Sequence, residues 1–205
     1  MVAGLAKMGV QVTILSRRED GLDLRDERSV EQAAEKVEGS FDLIVVATGG
    51  LELDGQAPEK SIRALSLDAM AAQFAVNAIG PALCLKYFSS KLAKDRSSVF
   101  AVLTAKIGSI EDNRLGGWIS YRAAKAAANQ IVKTAAIEIA RGNPQAAVVA
   151  LHPGTVETAM TQKYVVNHPS VSPQVAAENL IGVMSNLTSK DTGSFIAYDG
   201  TQLPW

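Results

Sequence analysis

Leu43-Ile44-Val45-Val46-Ala47, running into Thr48-Gly49-Gly50, is an unbroken apolar run rich in β-branched residues that stops at two glycines. A strand with one wet face alternates apolar and polar side chains; this one does not, so both of its faces are to be covered, as in a parallel sheet layered by helices. Short runs of the same type recur at 10–16, 99–104, 147–151 and 195–198. Between them lie segments of helical period: Ser29 to about Val37, Leu67 to about Leu92, Ile119 to about Arg141, and Pro173 to about Leu187. The third is stopped by Gly142-Asn143-Pro144. Strand and helix thus alternate, and the expected fold class is α/β: a doubly wound parallel sheet in three αβα layers, forming one domain over 1–205. The stretches 49–63 and 158–172 are longer and more polar, and read as loops over a site.

The N-terminal end departs from that plan. Val2 to Met8 reads as the last turns of a helix and Gly9-Val10 as the turn into a strand. In a doubly wound nucleotide-binding sheet the first strand is central, and the loop after it offers backbone N–H groups to a pyrophosphate. Neither that strand nor a glycine loop precedes Val2, so the sheet is expected to lack its first strand and the domain to be N-terminally incomplete.

Composition narrows the class. The 20 Lys and Arg residues balance 21 Asp and Glu, with no basic block, which argues against nucleic acid or an acidic membrane surface as partner. Cys84 is the only cysteine, so no internal disulfide can form, and its apolar helical setting reads as a buried structural thiol. No apolar run approaches the roughly 20 residues of a membrane span and no stretch reads as a signal peptide, so the expected location is cytoplasmic. No metal site is expected.

Tyr121-Arg122-Ala123-Ala124-Lys125 carries the chemistry, because one helical turn places a phenol and an ammonium on the same face. A phenol of pKa about 10 is a poor acid–base group at neutral pH unless a nearby cation stabilises its phenolate. Lys125 is in place to supply that cation.

Asn77, the Tyr121 to Lys125 pair and His152-Pro153-Gly154-Thr155-Val156-Glu157-Thr158, in this order and spacing, resemble the short-chain dehydrogenase/reductase family. The stretch from Gly108 to Ser120 and the ending Tyr198-Asp199-Gly200-Thr201-Gln202-Leu203-Pro204-Trp205 resemble its C-factor-like and small carbonyl-reductase branch. The resemblance covers essentially the whole chain and implies a Rossmann-like fold. It also implies a reaction, hydride transfer between NADP(H) and a carbonyl or alcohol substrate. On it, Tyr121 is the proton donor, Lys125 lowers the tyrosine pKa and holds the nicotinamide ribose, and Asn77 organises a water relay behind the lysine. The family's catalytic serine falls on Thr104 or Ala105, depending on how the loop is counted, with Ser109 further along as the other hydroxyl.

For the cofactor, Asp23-Leu24 resembles the family's acidic turn at the adenine ring, although helix capping before Ser29 explains an aspartate there equally well. Ser16-Arg17-Arg18 places cations where an NAD enzyme usually carries an acid, which favours NADP over NAD, since a forked guanidinium suits a 2′-phosphate. Glu19 and Asp20 dilute that charge. Gly49 stands where the family's Asn-Asn-Ala-Gly motif closes a strand, and allows close backbone approach. Pro153, Gly154, Val156 and Thr158 resemble the segment that receives the nicotinamide carboxamide, and His152 reads as a structural strand-end residue. The substrate pocket would be bounded by 108–118 and 158–172, whose Trp118, Tyr164 and Val165 suit an apolar or aromatic ligand. The long helices from Leu67 and from Ile119 resemble those that pair in family homodimers and homotetramers. The competing expectation is a non-catalytic relative that signals or binds a partner.

Overall fold

The computed structural model of the chain describes residues 1–164 and 169–205. Among these residues four strands, β1 (Leu43–Val46), β2 (Ser98–Leu103), β3 (Ala146–His152) and β4 (Phe195–Ala197), form one sheet in the order β1-β2-β3-β4. All three pairings are parallel. Among the described residues seven α-helices accompany them: α1 (Val2–Lys7), α2 (Arg17–Asp20), α3 (Glu27–Lys36), α4 (Leu67–Phe74), α5 (Gly80–Phe88), α6 (Ile119–Gly142) and α7 (Pro173–Asn186).

The period-two geometry of a strand divides the apolar residues between two cores. Phe100 and Val102 of β2, with Ala146, Val148 and Ala150 of β3, face a cluster that takes in Val30 of α3, Leu85 of α5 and Val132 of α6. Their neighbours Val99 and Ala101, with Ala147, Val149 and Leu151, turn to the other side and meet Leu180, Ile181 and Met184 of α7. Helices therefore cover both faces, which is why the central strands carry no polar alternation. Cys84 lies in the first core, where burial pushes its thiol up to about 12 and keeps it unreactive.

Two expectations are corrected. Residues 10–16 form no strand. An extended segment is fixed by the ladder it joins, and β1 pairs only with β2, leaving its other edge without a partner among the described residues. Val10 and Ile14 remain 45% and 51% exposed, and of this segment Leu15 packs on the first core. Second, the predicted helix from Leu67 to Leu92 is not uniform. It runs as α4, a π-helical turn Ala75–Ile79, α5 and a 3-10 turn Ser89–Lys91. Pro81 has no N–H to return to the Asn77 carbonyl, so the α ladder cannot close there and the wider turn takes its place. The composite Leu67–Lys91, contrary to the expectation from the sequence, is long and apolar enough to cross a bilayer by length and composition, but it buries the amides of Gln73 and Asn77.

Helix starts follow side-chain capping. Ser66, Asp26 and Ser172 accept the N–H groups of Ala69, Arg28 and Val175 at the heads of α4, α3 and α7. Asp26, not Asp23, is thus the cap of α3. The 24-residue α6 is the exception: Trp118 precedes it in the left-handed region, at φ 53° and ψ 42°, and offers no side-chain cap.

Candidate active site

The loop after β1, the π turn, the end of β2 and the first turns of α6 converge. Asn77 is fully buried in the π turn; its Nδ2 donates to the Gly50 carbonyl at 2.8 Å and to Gln73 Oε1 at 2.6 Å, and its Oδ1 accepts from Gly50 N–H at 3.1 Å. Gln73 Nε2 in turn donates to the Leu51 carbonyl at 2.8 Å. The two amides thus hold residues 50–51 as a neighbouring strand would.

Lys125 is 4% exposed and its Nζ donates to the Leu103 carbonyl at the end of β2, at 3.2 Å. Gly49 lies between these groups. A Cβ there would sit 3.0 Å from Asn77 Oδ1 and 3.3 Å from Lys125 Nζ, so a side chain would press on both. Gly108 meets α6 as closely, since a Cβ on it would fall 2.7 Å from the Lys125 carbonyl carbon.

Tyr121 sits one turn earlier on α6. Its ring centroid is 5.9 Å from Lys125 Nζ and 6.3 Å from Trp118 edge-on, and Trp118 makes a second edge contact, at 5.2 Å, with Tyr164. Burial pushes the Tyr121 phenol up to about 12 and the Lys125 ammonium down to about 8. The expectation that Lys125 lowers the tyrosine pKa is therefore not met in the chain alone. Desolvation sets the value of the phenol, with Lys125 Nζ 5.9 Å from the ring.

The hydroxyl candidates differ in how they are used. Ser109 Oγ donates to the Trp205 carbonyl at 3.2 Å and accepts from Asp112 N–H at 3.0 Å, so it is committed to folding its own loop onto the C-terminal residues. Ile110 and Glu111 N–H groups reach the same Trp205 oxygen at 3.1 and 3.0 Å. Thr104, 4% exposed, continues the covered face of Phe100 and Val102, and its Oγ1 has no partner among the described residues. Ala105 is less covered, in extended backbone at the head of the 3-10 turn Lys106–Gly108.

The remaining candidates fall into two groups. Arg17 and Arg18 are exposed on α2 and enter no ion pair among the described residues; Ser16 caps that helix by accepting from Glu19 N–H. Asp23 Oδ1 accepts from Arg25 N–H at 2.9 Å, making a turn, while Leu24 is buried under Gly80, whose Cβ would meet it at 2.8 Å. On the far side, Gly154 has φ 77° and is packed under Tyr198, which a Cβ would strike at 2.8 Å. The Val156 carbonyl accepts from Thr161 Oγ1, and the Thr158 and Thr161 hydroxyls lie 3.0 Å apart. Pairing of Thr155 and Glu157 with Val171 then closes the base of this segment. It borders an open cleft of about 530 Å³ lined by Glu157, Thr158, Ala159, Gln162 and Ser170. His152 lies edge-on to Tyr198 at 6.4 Å and is pushed down to about 4 by burial, and its Nδ1 has no partner among the described residues. Val165 lies outside the described residues.

Sequence reasoning missed Gln73, Glu52 and Glu59. Gln73 could have been found, since it stands one helical turn before Asn77 and pairs with it. Glu52, which accepts from Tyr164 Oη at 2.6 Å and Lys163 Nζ at 3.0 Å, and Glu59 lie in an irregular loop with no periodicity to flag them.

This geometry has relatives. The family model for short chain dehydrogenases matches residues 20–168. The chain belongs to that family. A relative, the 1-hydroxy-2-glutathionyl-2-methyl-3-butene dehydrogenase of Rhodococcus sp. (strain AD45), is 30% identical over 99% of this chain and 84% of its own length. The C-signal protein of Myxococcus xanthus is 30% identical over 66% of this chain and 78% of its own. Among solved structures, NADPH-bound carbonyl reductase from chicken fatty liver superposes with a TM-score of 0.75 at 26% identity, covering 90% of this chain and 72% of that one. A carbonyl reductase from Pseudomonas aeruginosa PAO1 reaches a TM-score of 0.81 at 21% identity, over 99% of this chain and 92% of its own, and bears on the fold alone. The short-chain dehydrogenase fold accounts for the parallel sheet, and membership places this chain in a family of oxidoreductases that act on small molecules.

Proposed function

We propose that this chain is an NADP-preferring carbonyl reductase in which Tyr121 is the proton donor and Lys125 its supporting cation. One observation carries the reading: Asn77, the Gly49-Gly50 backbone, the Leu103 carbonyl and Lys125 Nζ meet one helical turn from a half-buried tyrosine. Buried polar groups are costly, and a packed fold gains nothing from an ammonium sunk to 4% exposure beside a phenol unless the pair is used.

The residues fit a dinucleotide. Gly49 leaves the cradle that a Cβ would fill, the Lys125 ammonium is a donor for ribose hydroxyls, and Arg17 and Arg18 carry no competing ion pair among the described residues. Pro153, Gly154, Val156 and Thr158 would hold the carboxamide end. When bound, the reduced nicotinamide supplies the hydride. Tyr121 Oη gives its proton to the substrate oxygen, and the ammonium of Lys125 lowers the cost of the phenolate left behind. Trp118, edge-on to both Tyr121 and Tyr164, supports a planar apolar or aromatic group next to the reacting carbonyl. NADPH binding by calorimetry, followed by NADPH oxidation against a panel of aryl and alkyl carbonyl compounds, tests the reading. Absence of both binding and turnover would favour the second reading, a signalling or binding protein, for which the likeness to C-signal speaks.

Two predictions arise here. Exchanging Arg17 and Arg18 together for alanine is expected to weaken NADPH by about ten- to a hundredfold and NADH much less, because the charge-assisted bonds to a 2′-phosphate are lost. Equal weakening of both would assign the arginines no part in discrimination. For the missing serine, Ala105→Ser is expected to raise kcat about tenfold by adding a donor at the substrate oxygen. Thr104→Val should leave kcat within about threefold and stability unchanged or higher, since it removes an unpartnered buried hydroxyl. A large loss in Thr104→Val would move the role to Thr104.

A further inference from the structure

We propose that Glu59 is a positioning residue for the proton donor: from the loop after β1 it fixes the first turn of α6, and with it the height of Tyr121. The role for Tyr121 is that of the preceding section; the placement of its helix stands on geometry alone.

The first N–H groups of any helix have no partner within it, and α6 meets this need unusually. Trp118 carries no capping side chain and is held in the left-handed region, uncommon for a bulky residue and maintained only when its surroundings impose it. What imposes it is Glu59. Its backbone carbonyl accepts the Trp118 N–H, and its carboxylate accepts both the Ser120 N–H, at 3.3 Å, and the Ser120 hydroxyl. One residue thus grips the chain at 118 and at 120, immediately before Tyr121. Glu59 is 7% exposed and Ser120 1%, and no cation forms an ion pair with this carboxylate among the described residues. The helix N-terminus, positive by its dipole, takes that place.

The grip joins two walls of the site. The loop that carries Glu59 begins at Gly49-Gly50, which Asn77 pins, and the helix it caps carries Tyr121 and Lys125. Trp118, whose indole lies between Tyr121 and Tyr164, is set by the same contact. Loosening Glu59 therefore displaces the first turn of α6, with the proton donor and its aromatic neighbour, while Lys125, one turn further on, is still held by the Leu103 carbonyl and Gly50 by Asn77.

The test compares Glu59→Ala with Glu59→Gln, which keeps an acceptor for Ser120, and with Ser172→Ala, which removes the cap of α7, a helix with no site residue. Ser120→Ala removes the hydroxyl half of the grip and serves if Glu59→Ala does not fold. The first readout needs no turnover: the 13Cζ signal of Tyr121 in tyrosine-labelled protein, assigned by its disappearance in Tyr121→Phe. It is expected to shift and broaden in Glu59→Ala, shift less in Ser120→Ala, and stay in place in Glu59→Gln and Ser172→Ala. The second readout is NADPH-dependent reduction, where Glu59→Ala is expected to lower kcat about ten- to a hundredfold, as misplacement of a reacting group does, with the KM for NADPH little changed. An unmoved Tyr121 signal in Glu59→Ala, or equal movement in Ser172→Ala, would overturn the proposal. Absence of turnover in the parent chain with a displaced signal would count against the reductase reading alone.

Discussion

Tyr121→Phe is expected to abolish measurable carbonyl reduction, a loss of about a hundredfold to ten-thousandfold, while NADPH affinity and thermal stability stay near those of the parent. The substitution removes one oxygen and nothing else. The ring keeps its edge contact with Trp118 and its place above Lys125, and the hydroxyl makes no hydrogen bond among the described residues that folding would miss. Activity and stability therefore separate cleanly at this position, unlike at Asn77, whose amide ties the β1 loop to the π turn and whose loss would mix the two. Steady-state turnover, calorimetric NADPH titration and a thermal melt of the same preparation decide the matter. Residual turnover near the parent level would place the proton donor elsewhere.

The sequence disclosed the parts of this site that are written in local pattern. Val99 to Leu103 and Ala147 to Leu151 are apolar at every position because each strand feeds two cores, and that is visible without a structure. The spacing of Tyr121 and Lys125 is likewise a property of one helix. What stayed hidden depends on partners far along the chain. Residues 10–16 have a strand's composition and no ladder, because pairing is decided by a neighbour rather than by propensity. The π turn at Asn77 follows from Pro81 four residues on, yet a 3.6-residue period reads straight through it. Ser109 was a plausible catalytic hydroxyl until Trp205, 96 residues away, claimed it. Glu59 is 61 residues from Ser120, in a loop with no pattern at all. The Tyr121 pKa is hidden for a related reason: spacing shows that a cation is near, but only packing shows the burial that raises the phenol.

Lys125→Met is expected to lower kcat/KM for reduction about a hundredfold at pH 7 and, at the same time, to remove a pH dependence. In the parent fold burial brings the ammonium down to about 8, from an ordinary value of 10.5. kcat/KM reports the free enzyme, so in the parent it should fall as pH rises past about 8 and the cation beside Tyr121 is lost. In the methionine variant that fall should be gone, because no group of this kind remains to titrate. Stability moves the other way. Below about pH 8 the lysine is charged in both folded and unfolded chains, and the fold bears the full cost of burying it. Between 8 and 10.5 the unfolded chain binds more protons than the folded one, so the parent gains stability as pH rises. Tyr121, pushed up from 10 to about 12, keeps its proton in the fold after the unfolded chain has lost it, and so takes stability away above pH 10. Cys84, pushed up from 9 to about 12, takes stability away in the same manner above pH 9, so the clean window is pH 8 to 9, where one pH unit of a single proton difference amounts to about 1 kcal/mol. Urea unfolding across that window should show the parent rising toward the methionine variant, whose own stability stays flat. A parent curve that runs level would mean that Lys125 keeps its proton in the fold across that window, and the fall of kcat/KM past pH 8 would then have to come from another group.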